Sequence, residues 1–374
     1  MTGPQLSPIM TARQSCRHSN IVDRRKTSQS SLSVAKRRLR YASACFMRLR
    51  HRLPFSAAII IILLFGSTLA AQEQGSGLAA RPAREPRALR VAAVQFKIQQ
   101  SDLQSFAAFR SRIETLVTNC LAFEPDLIVF PEYTSVFPAL IPYYSAIRVS
   151  QSAEDGLSRI SAQDPLIDGF RDLFLLNSGL VERFMEQVFA ALARRYAVAI
   201  IPGTCFTWSR RGAEAALVNR LVMYDQSGEI IYTQDKVFLT PFEEQLLELS
   251  PGVLEQAEPI VLQGQRIGIT ICRDTFFSDW LQVLSGVDLW IDIKANGARF
   301  TQEERQRFLR AVPARIAEGD IPYGLTVCLT GSLLDMIWEG ESSLVFKEPG
   351  QPVRFAEKAS SASEEQILFL LIGD

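Results

Sequence analysis

Past its first 53 residues this chain of 374 contains no histidine; the two it has are His18 and His51. The rest must therefore do its chemistry without imidazole, which excludes a Cys-His dyad, a Ser-His-Asp triad and His-ligated metal sites. Cysteine is scarce too. Of six, four lie in the body, at Cys120, Cys205, Cys272 and Cys328, with no C-x-x-C pair among them, which argues against a zinc ribbon or a dithiol redox motif. Net charge is also missing, since 40 Lys and Arg balance 40 Asp and Glu. The balance hides a divide: residues 1 to 53 hold 12 of the bases and one acid, Asp23, which leaves 28 bases against 39 acids and a net of −11 for the remainder. An acidic body argues against nucleic acid as a partner. There is no internal repeat and a single long apolar segment.

That segment runs from Pro54 to Leu69, after the basic head Met47-Arg48-Leu49-Arg50-His51-Arg52 and before the small residues around Ala70-Ala71. Residues 1–46, rich in Ser and Arg, read as a disordered or untranslated leader. Residues 47–71 read as a signal peptide, with export to a periplasmic or extracellular location, the alternative being an uncleaved N-terminal membrane anchor with the domain outside the cytoplasm. Residues 72–88, with Gly75, Gly77, Pro82 and Pro86, read as a linker, and 89–374 as the folded domain.

In the body, Arg90 to Gln95 reads as a strand and Asp102 to Cys120 as an amphipathic helix with Phe106, Phe109, Ile113, Leu116, Val117 and Cys120 on one face. Leu127-Ile128-Val129-Phe130 is a buried strand capped by Pro131-Glu132-Tyr133. Residues 134 to 178 lack a sustained period and read as a long loop with short helices lying over something. A helix from about Leu180 to Arg195 leads to a strand at Ala197 to Ile201. Strands at Leu217–Tyr224 and Glu229–Thr233 flank the turn Asp225-Gln226-Ser227-Gly228. Strands ending at Cys272 and at Leu289–Ile293, a helix around Gln302–Ile316, and strands at Leu325–Thr330, Ser343–Phe346 and Gln366–Leu371 complete the reading. The alternation implies α/β layers with a mixed sheet and no second domain.

Three residues carry chemistry. In Gly268-Ile269-Thr270-Ile271-Cys272-Arg273-Asp274 a β-branched run ends at a cysteine, where a thiol can face a pocket. Glu132 ends a buried strand in the same way, and a carboxylate there needs a partner or a task. Lys236 follows a strand between apolar neighbours. A base, a cation and a thiol are the parts of a nucleophile-activation device, the carboxylate taking the place of the missing histidine.

These residues resemble the nitrilase superfamily of carbon–nitrogen hydrolases. Ala93-Val94-Gln95 is similar to its opening strand, Phe130-Pro131-Glu132 to its glutamate motif, Lys236 to Glu244 with Pro251-Gly252 to its lysine motif, and Ile271-Cys272 to its nucleophile motif. The similarity continues through Ala295-Asn296, Ala314 to Glu318 and Gly340 to Ser343. It implies a four-layer α-β-β-α sandwich, a Glu-Lys-Cys triad and no cofactor or metal. Carried over, Glu132 is the general base and later acid, Cys272 forms a thioester, and Lys236 with the Arg273 backbone N–H stabilises the oxyanion. Glu244 would hold Lys236 or position water, with Glu243 in the place of a family glycine. Tyr133, Arg273 and Asn296 are the substrate-binding candidates.

The sequence departs from the family pattern at Arg273, where an aromatic residue is common. Its guanidinium would pair either with an anionic substrate or with an acid of the protein such as Asp274 or Asp279. The stretch between Glu132 and Lys236, 104 residues apart, is long for the family. The expected activity is hydrolysis of small linear amides, N-carbamoyl compounds or nitriles. The alternatives are an N-acyltransferase using the same triad and a non-catalytic binding protein on the same fold. The expected partner is a small-molecule amide; a membrane enters only through the N-terminal anchor, and homo-oligomer formation is left open, as is pairing of Cys205 with Cys328.

Overall fold

The computed structural model describes residues 88–211, 214–319 and 321–373. The leader, signal-peptide and linker expectations for residues 1–87 lie outside the described residues. Among the described residues no helix is long and apolar enough to cross a membrane.

Two sheets form the centre. The first has the order β16-β1-β3-β4-β6-β5, with β7 also paired to β6; its strands are β1 (Leu89–Gln95), β3 (Leu127–Phe130), β4 (Ala199–Pro202), β5 (Thr204–Arg211), β6 (Glu214–Tyr224), β7 (Ile230–Asp235) and β16 (Gln366–Ile372). The second runs β15-β14-β11-β10-β9-β8, comprising β8 (Ile260–Leu262), β9 (Gln265–Ile271), β10 (Leu289–Lys294), β11 (Tyr323–Cys328), β14 (Ser343–Phe346) and β15 (Arg354–Lys358). A small third sheet joins β2 (Lys97–Ile98), β12 (Thr330–Leu333) and β13 (Met336–Trp338). Each large sheet is mixed: β1, β3 and β4 run parallel, as do β9, β10 and β11, and antiparallel strands complete the edges.

Side-chain alternation makes this a four-layer molecule. Val91, Ala93, Leu127, Val129 and Ile201 of the first sheet pack in one cluster with Ile267, Ile269, Ile271, Ile291 and Val327 of the second, so the two sheets face each other. The intervening residues Ala92, Val94, Ile128, Phe130 and Ile200 point the other way. They meet α1 (Phe106–Cys120) through Phe109, Ile113 and Val117, and α3 (Phe170–Met185), which follows α2 (Ala153–Gln163), through Phe184 and Met185. On the far side Trp290 and Val345 lie under Trp280, Val312 and Ile316. Each fully buried side chain of this size contributes roughly 1.5–3 kcal/mol. The four-layer α/β expectation holds.

Several local expectations change. Residues 134 to 178 are more ordered than a loop, holding a 3-10 segment at Phe137–Tyr143, α2 and the first half of α3. Helix continues from α3 through one wider turn, Glu186–Ala190, to α4 (Ala191–Tyr196). Ala197 then adopts a left-handed φ of 51°, and the strand begins two residues later. The helix expected over Gln302–Ile316 is two, α5 (Gln302–Leu309) and α6 (Val312–Glu318), divided just before Pro313. Strands β2, β5, β8, β12, β13 and β15 had no counterpart in the sequence reading. Cys205 and Cys328 are free and buried, on different sheets, and do not pair.

Candidate active site

Glu132 sits two residues beyond β3 and is fully buried. The chain must turn sharply behind it, and Tyr133 does so at φ 67°. The turn is fastened to the neighbouring strands: the Tyr133 N–H donates to Thr204 Oγ1 (3.0 Å), and the Ser135 hydroxyl donates to the Pro202 carbonyl (2.8 Å). Gly203 allows this approach, because a Cβ there would lie 2.0 Å from the Pro131 carbonyl oxygen.

Lys236 follows β7, only 1% exposed. Its ammonium donates to Glu132 Oε1 (2.8 Å) and Glu243 Oε1 (2.9 Å), and lies 2.8 Å from Glu243 Oε2. Asn219, on β6 and equally buried, donates to Glu132 Oε1 (3.0 Å) and Glu243 Oε1 (2.9 Å), tying the two carboxylates together. The Tyr133 hydroxyl adds a third bond to Glu243 Oε1 (2.9 Å), and Thr240 donates its N–H (2.8 Å) and hydroxyl (2.9 Å) to Oε2. Glu243 is thus saturated. Glu132 is not: its Oε2 accepts the Ala295 N–H (3.0 Å) and keeps acceptor capacity.

Cys272 closes the site from the second sheet. It lies at the end of β9, partly exposed, with φ 54°. A left-handed non-glycine residue costs on the order of 1–3 kcal/mol and persists only where its surroundings impose it. Here they do. The Cys272 N–H donates to Asp292 Oδ1 (3.0 Å), and Lys294 Nζ donates to the Cys272 carbonyl (3.1 Å). Asp292 and Lys294 stand two apart on β10, buried and 2.9 Å from each other. The turn after the nucleophile is laced to the turn after Lys236: Asp274 accepts the N–H groups of Val237 (3.2 Å) and Phe238 (2.7 Å), and the Phe238 and Phe277 rings stack at 3.7 Å.

Burial and charge set the protonation states. Burial pushes the Glu132 carboxyl up, Lys236 pulls it back and Glu243 adds to the rise, so it stays above the usual carboxylate range. Burial works against the Lys236 charge, but Glu132, Cys272 and Glu243 outweigh it and hold the ammonium charged. Burial also works against an ionised Glu243, and there Lys236 and the donated hydrogen bonds prevail, keeping it low. The Cys272 thiol is pushed up to about 12, first by burial and then by the charge on Glu132, against the pull of Lys294 and Lys236. At rest Cys272 is thus held as a neutral thiol and Glu132 as a carboxyl of raised basicity, a combination able to exchange a proton.

The structure joins Glu132 and Lys236 in one buried network with Glu243, and places Glu243 where the sequence reading had Glu244. Glu243, not Glu244, holds Lys236; Glu244 is exposed. The wider helical turn Phe242–Leu246 presents Glu243 inward and its neighbour outward. Arg273 is held within the protein. Its guanidinium donates to the Leu239 carbonyl and lies 5.8 Å from the Phe277 ring, so it braces the same two turns and pairs with neither Asp274 nor Asp279. Asn296 spends its amide N–H groups on the carbonyls of Ala298 (3.3 Å) and Glu339 (3.0 Å), shaping a turn. Tyr133 belongs to the site, with its hydroxyl committed to Glu243. Asn219, Asp292 and Lys294 were missed. Asp292 and Lys294 had a signal: two charges at alternate positions in an apolar strand share one face with the buried Trp290. Among the described residues, no group of three or more His, Cys, Asp or Glu could hold a metal ion.

A family model described as carbon-nitrogen hydrolase matches residues 90–351. Solved structures share the fold at low identity. A double mutant of the amidase from Nesterenkonia sp. AN1 in complex with acrylamide is 15% identical, with 79% of this chain and 94% of that chain covered and a TM-score of 0.53. A mutant of the same amidase in complex with butyramide gives 15%, 76%, 91% and 0.51. A carbon-nitrogen hydrolase from Helicobacter pylori G27 gives 18%, 76%, 89% and 0.52. No curated protein sequence matches the chain significantly.

Proposed function

The chain belongs to the carbon-nitrogen hydrolase family of the nitrilase superfamily, and from that premise we propose that it hydrolyses small linear amides through a thioester on Cys272, with N-carbamoyl compounds and nitriles open to the same attack. The observation that carries this reading is the unsaturated Oε2 of Glu132, the one carboxylate oxygen of the buried cluster with room for a proton. Glu132 takes the thiol proton as the sulfur attacks the carbonyl carbon. The proton stays inside the cluster, so the attack creates no new net charge in a dry site. The oxygen of the tetrahedral intermediate draws on Lys236 and the Arg273 N–H, since the Cys272 N–H is already engaged by Asp292. Glu132 returns the proton to nitrogen as the C–N bond breaks and ammonia or an amine departs. Water then attacks the thioester, giving its proton to Glu132; the C–S bond breaks, the acid leaves, and the thiolate recovers the proton.

The amidase structures with acrylamide and butyramide support small amides as the substrate class. The test is release of ammonia from a panel of primary amides by the purified protein, with mass spectrometry for an acyl adduct. We expect turnover and an adduct on Cys272, both lost in Cys272→Ala. Turnover retained by Cys272→Ala would refute the assignment.

A further inference from the structure

Against Tyr133, the residue that follows Glu132, lies a cavity of about 70 Å3. Its walls are hydrocarbon and aromatic. One side comes from the insertion between β3 and β4, through Val136, Phe137, Ile160 and Phe174; the other comes from Leu333 and Trp338 on the small third sheet. Tyr133 and Phe242 complete it, and they tie it to the chemistry. The hydroxyl of Tyr133 holds Glu243 while its ring faces the cavity, and Phe242 is the residue next to Glu243. Tyr133 is also close enough to Cys272 for a charge on the sulfur to act on its hydroxyl.

An apolar cavity of this kind stays dry and takes apolar guests, having nothing with which to hold water or a charged group. We propose, building on the amide-hydrolase reading above, that this cavity receives the apolar part of the substrate's acyl group, making the protein selective for amides of short aliphatic acids over acetamide or anionic amides. The two halves of the reaction indicate which part of the substrate goes there. The amine must leave and water must enter while the thioester exists, so the leaving side needs an open path. The acyl group stays through both steps, and a walled cavity suits the part that stays. The small size sets an upper limit on length, beyond which the Phe137–Tyr143 segment or α2 would have to move.

The test uses the full chain and a series of primary amides, from acetamide through unbranched chains to decanamide, with phenylacetamide and the anionic succinamate alongside. We expect kcat/KM to rise about fourfold per added methylene, pass through a maximum and then fall, with succinamate below the neutral amide of equal length. Ile160→Phe, and the milder Ala153→Leu if the first does not fold, should move the maximum to shorter chains. A flat or falling series from acetamide onward, or a maximum that neither folded variant moves, would overturn the cavity assignment and leave amide hydrolysis standing. Calorimetric binding of the same amides to Cys272→Ala separates the two readings. Affinity that climbs with chain length, in a protein whose wild type turns over none of them, would keep the cavity and reject hydrolysis; no turnover and no climb would reject both.

Discussion

Two lysines are buried on either side of Cys272, and they are held differently. Lys236 is bound by two carboxylates, one of them with room for a proton, and acts on the side chains where bonds would break. Lys294 has one carboxylate, Asp292, with the rings of Phe276 and Phe308 at 5.0 and 5.5 Å, and its hydrogen bond goes to the backbone of the nucleophile. The first arrangement carries a surplus negative charge on Glu132 and Glu243, which adds to burial in keeping the Cys272 thiol protonated, while burial first of all keeps Glu132 basic. The second is neutral and imposes a shape, the left-handed turn that aims the sulfur. A buried ion pair is weak evidence of stabilisation in itself, because desolvation offsets the attraction. On the proposed mechanism, one pair serves proton transfer and the other geometry.

The sharpest way to break that contrast is to remove each cation. Lys236→Met leaves Glu132 and Glu243 together without a counter-charge. It should abolish turnover and cost about 3–5 kcal/mol of stability by denaturant unfolding. Lys294→Met should also destabilise, but it should lower kcat by only about 10–100-fold, as expected of a nucleophile that is slightly misaimed, and the acyl adduct should still form on Cys272. Equal loss of acylation in both would erase the distinction.

A smaller effect tests which glutamate serves Lys236. The charge on Glu243 raises the Glu132 carboxyl, so Glu243→Gln should lower it. The acidic limb of kcat/KM against pH should then move to lower pH, with a fall in rate. Glu244→Gln should leave the profile and the rate as they are; a shift there would restore the assignment that the structure corrects.

The smallest effect concerns Asp274, which links the two turns. Burial pushes its carboxyl up to about 7, against the N–H groups of Phe238 and Val237. A carboxyl raised from 3.8 binds a proton in the folded state over a range where the unfolded chain has released it. Its contribution to stability therefore falls as pH rises from about 4 to 7. Asp274→Asn should remove that slope, so that its Tm gains on the wild type by a few degrees between pH 4 and 8. A constant difference across the range would show that Asp274 does not titrate there.

Glu132 and Cys272 were legible because each ends a continuous apolar run, and only a site or a partner explains a polar residue there. Glu243 was not, since two adjacent glutamates have the same composition and only a wider helical turn decides which faces inward. Strand β5 escaped because it is an edge strand ending in Ser209-Arg210-Arg211 with Trp208 half exposed, and so lacks the apolar alternation that marks its neighbours. The sandwich itself was legible from the buried strands and the family resemblance. The ordered insertion was not, because its 3-10 segment and helices pack aromatic residues around a void, without one sustained spacing.

Of the four described cysteines only Cys272 has a surface that solvent reaches; Cys120, Cys205 and Cys328 are sealed in the core. A thiol reagent acting on the described residues of the folded domain therefore reports on one atom. The raised thiol adds a selection of its own. Alkylating agents that wait for a preformed thiolate will react slowly, whereas an electrophile shaped like an amide brings the sulfur under the influence of Glu132 and is captured by the machinery it imitates. The same protonated state gives the nucleophile a measure of protection against adventitious oxidation, which also begins at the thiolate.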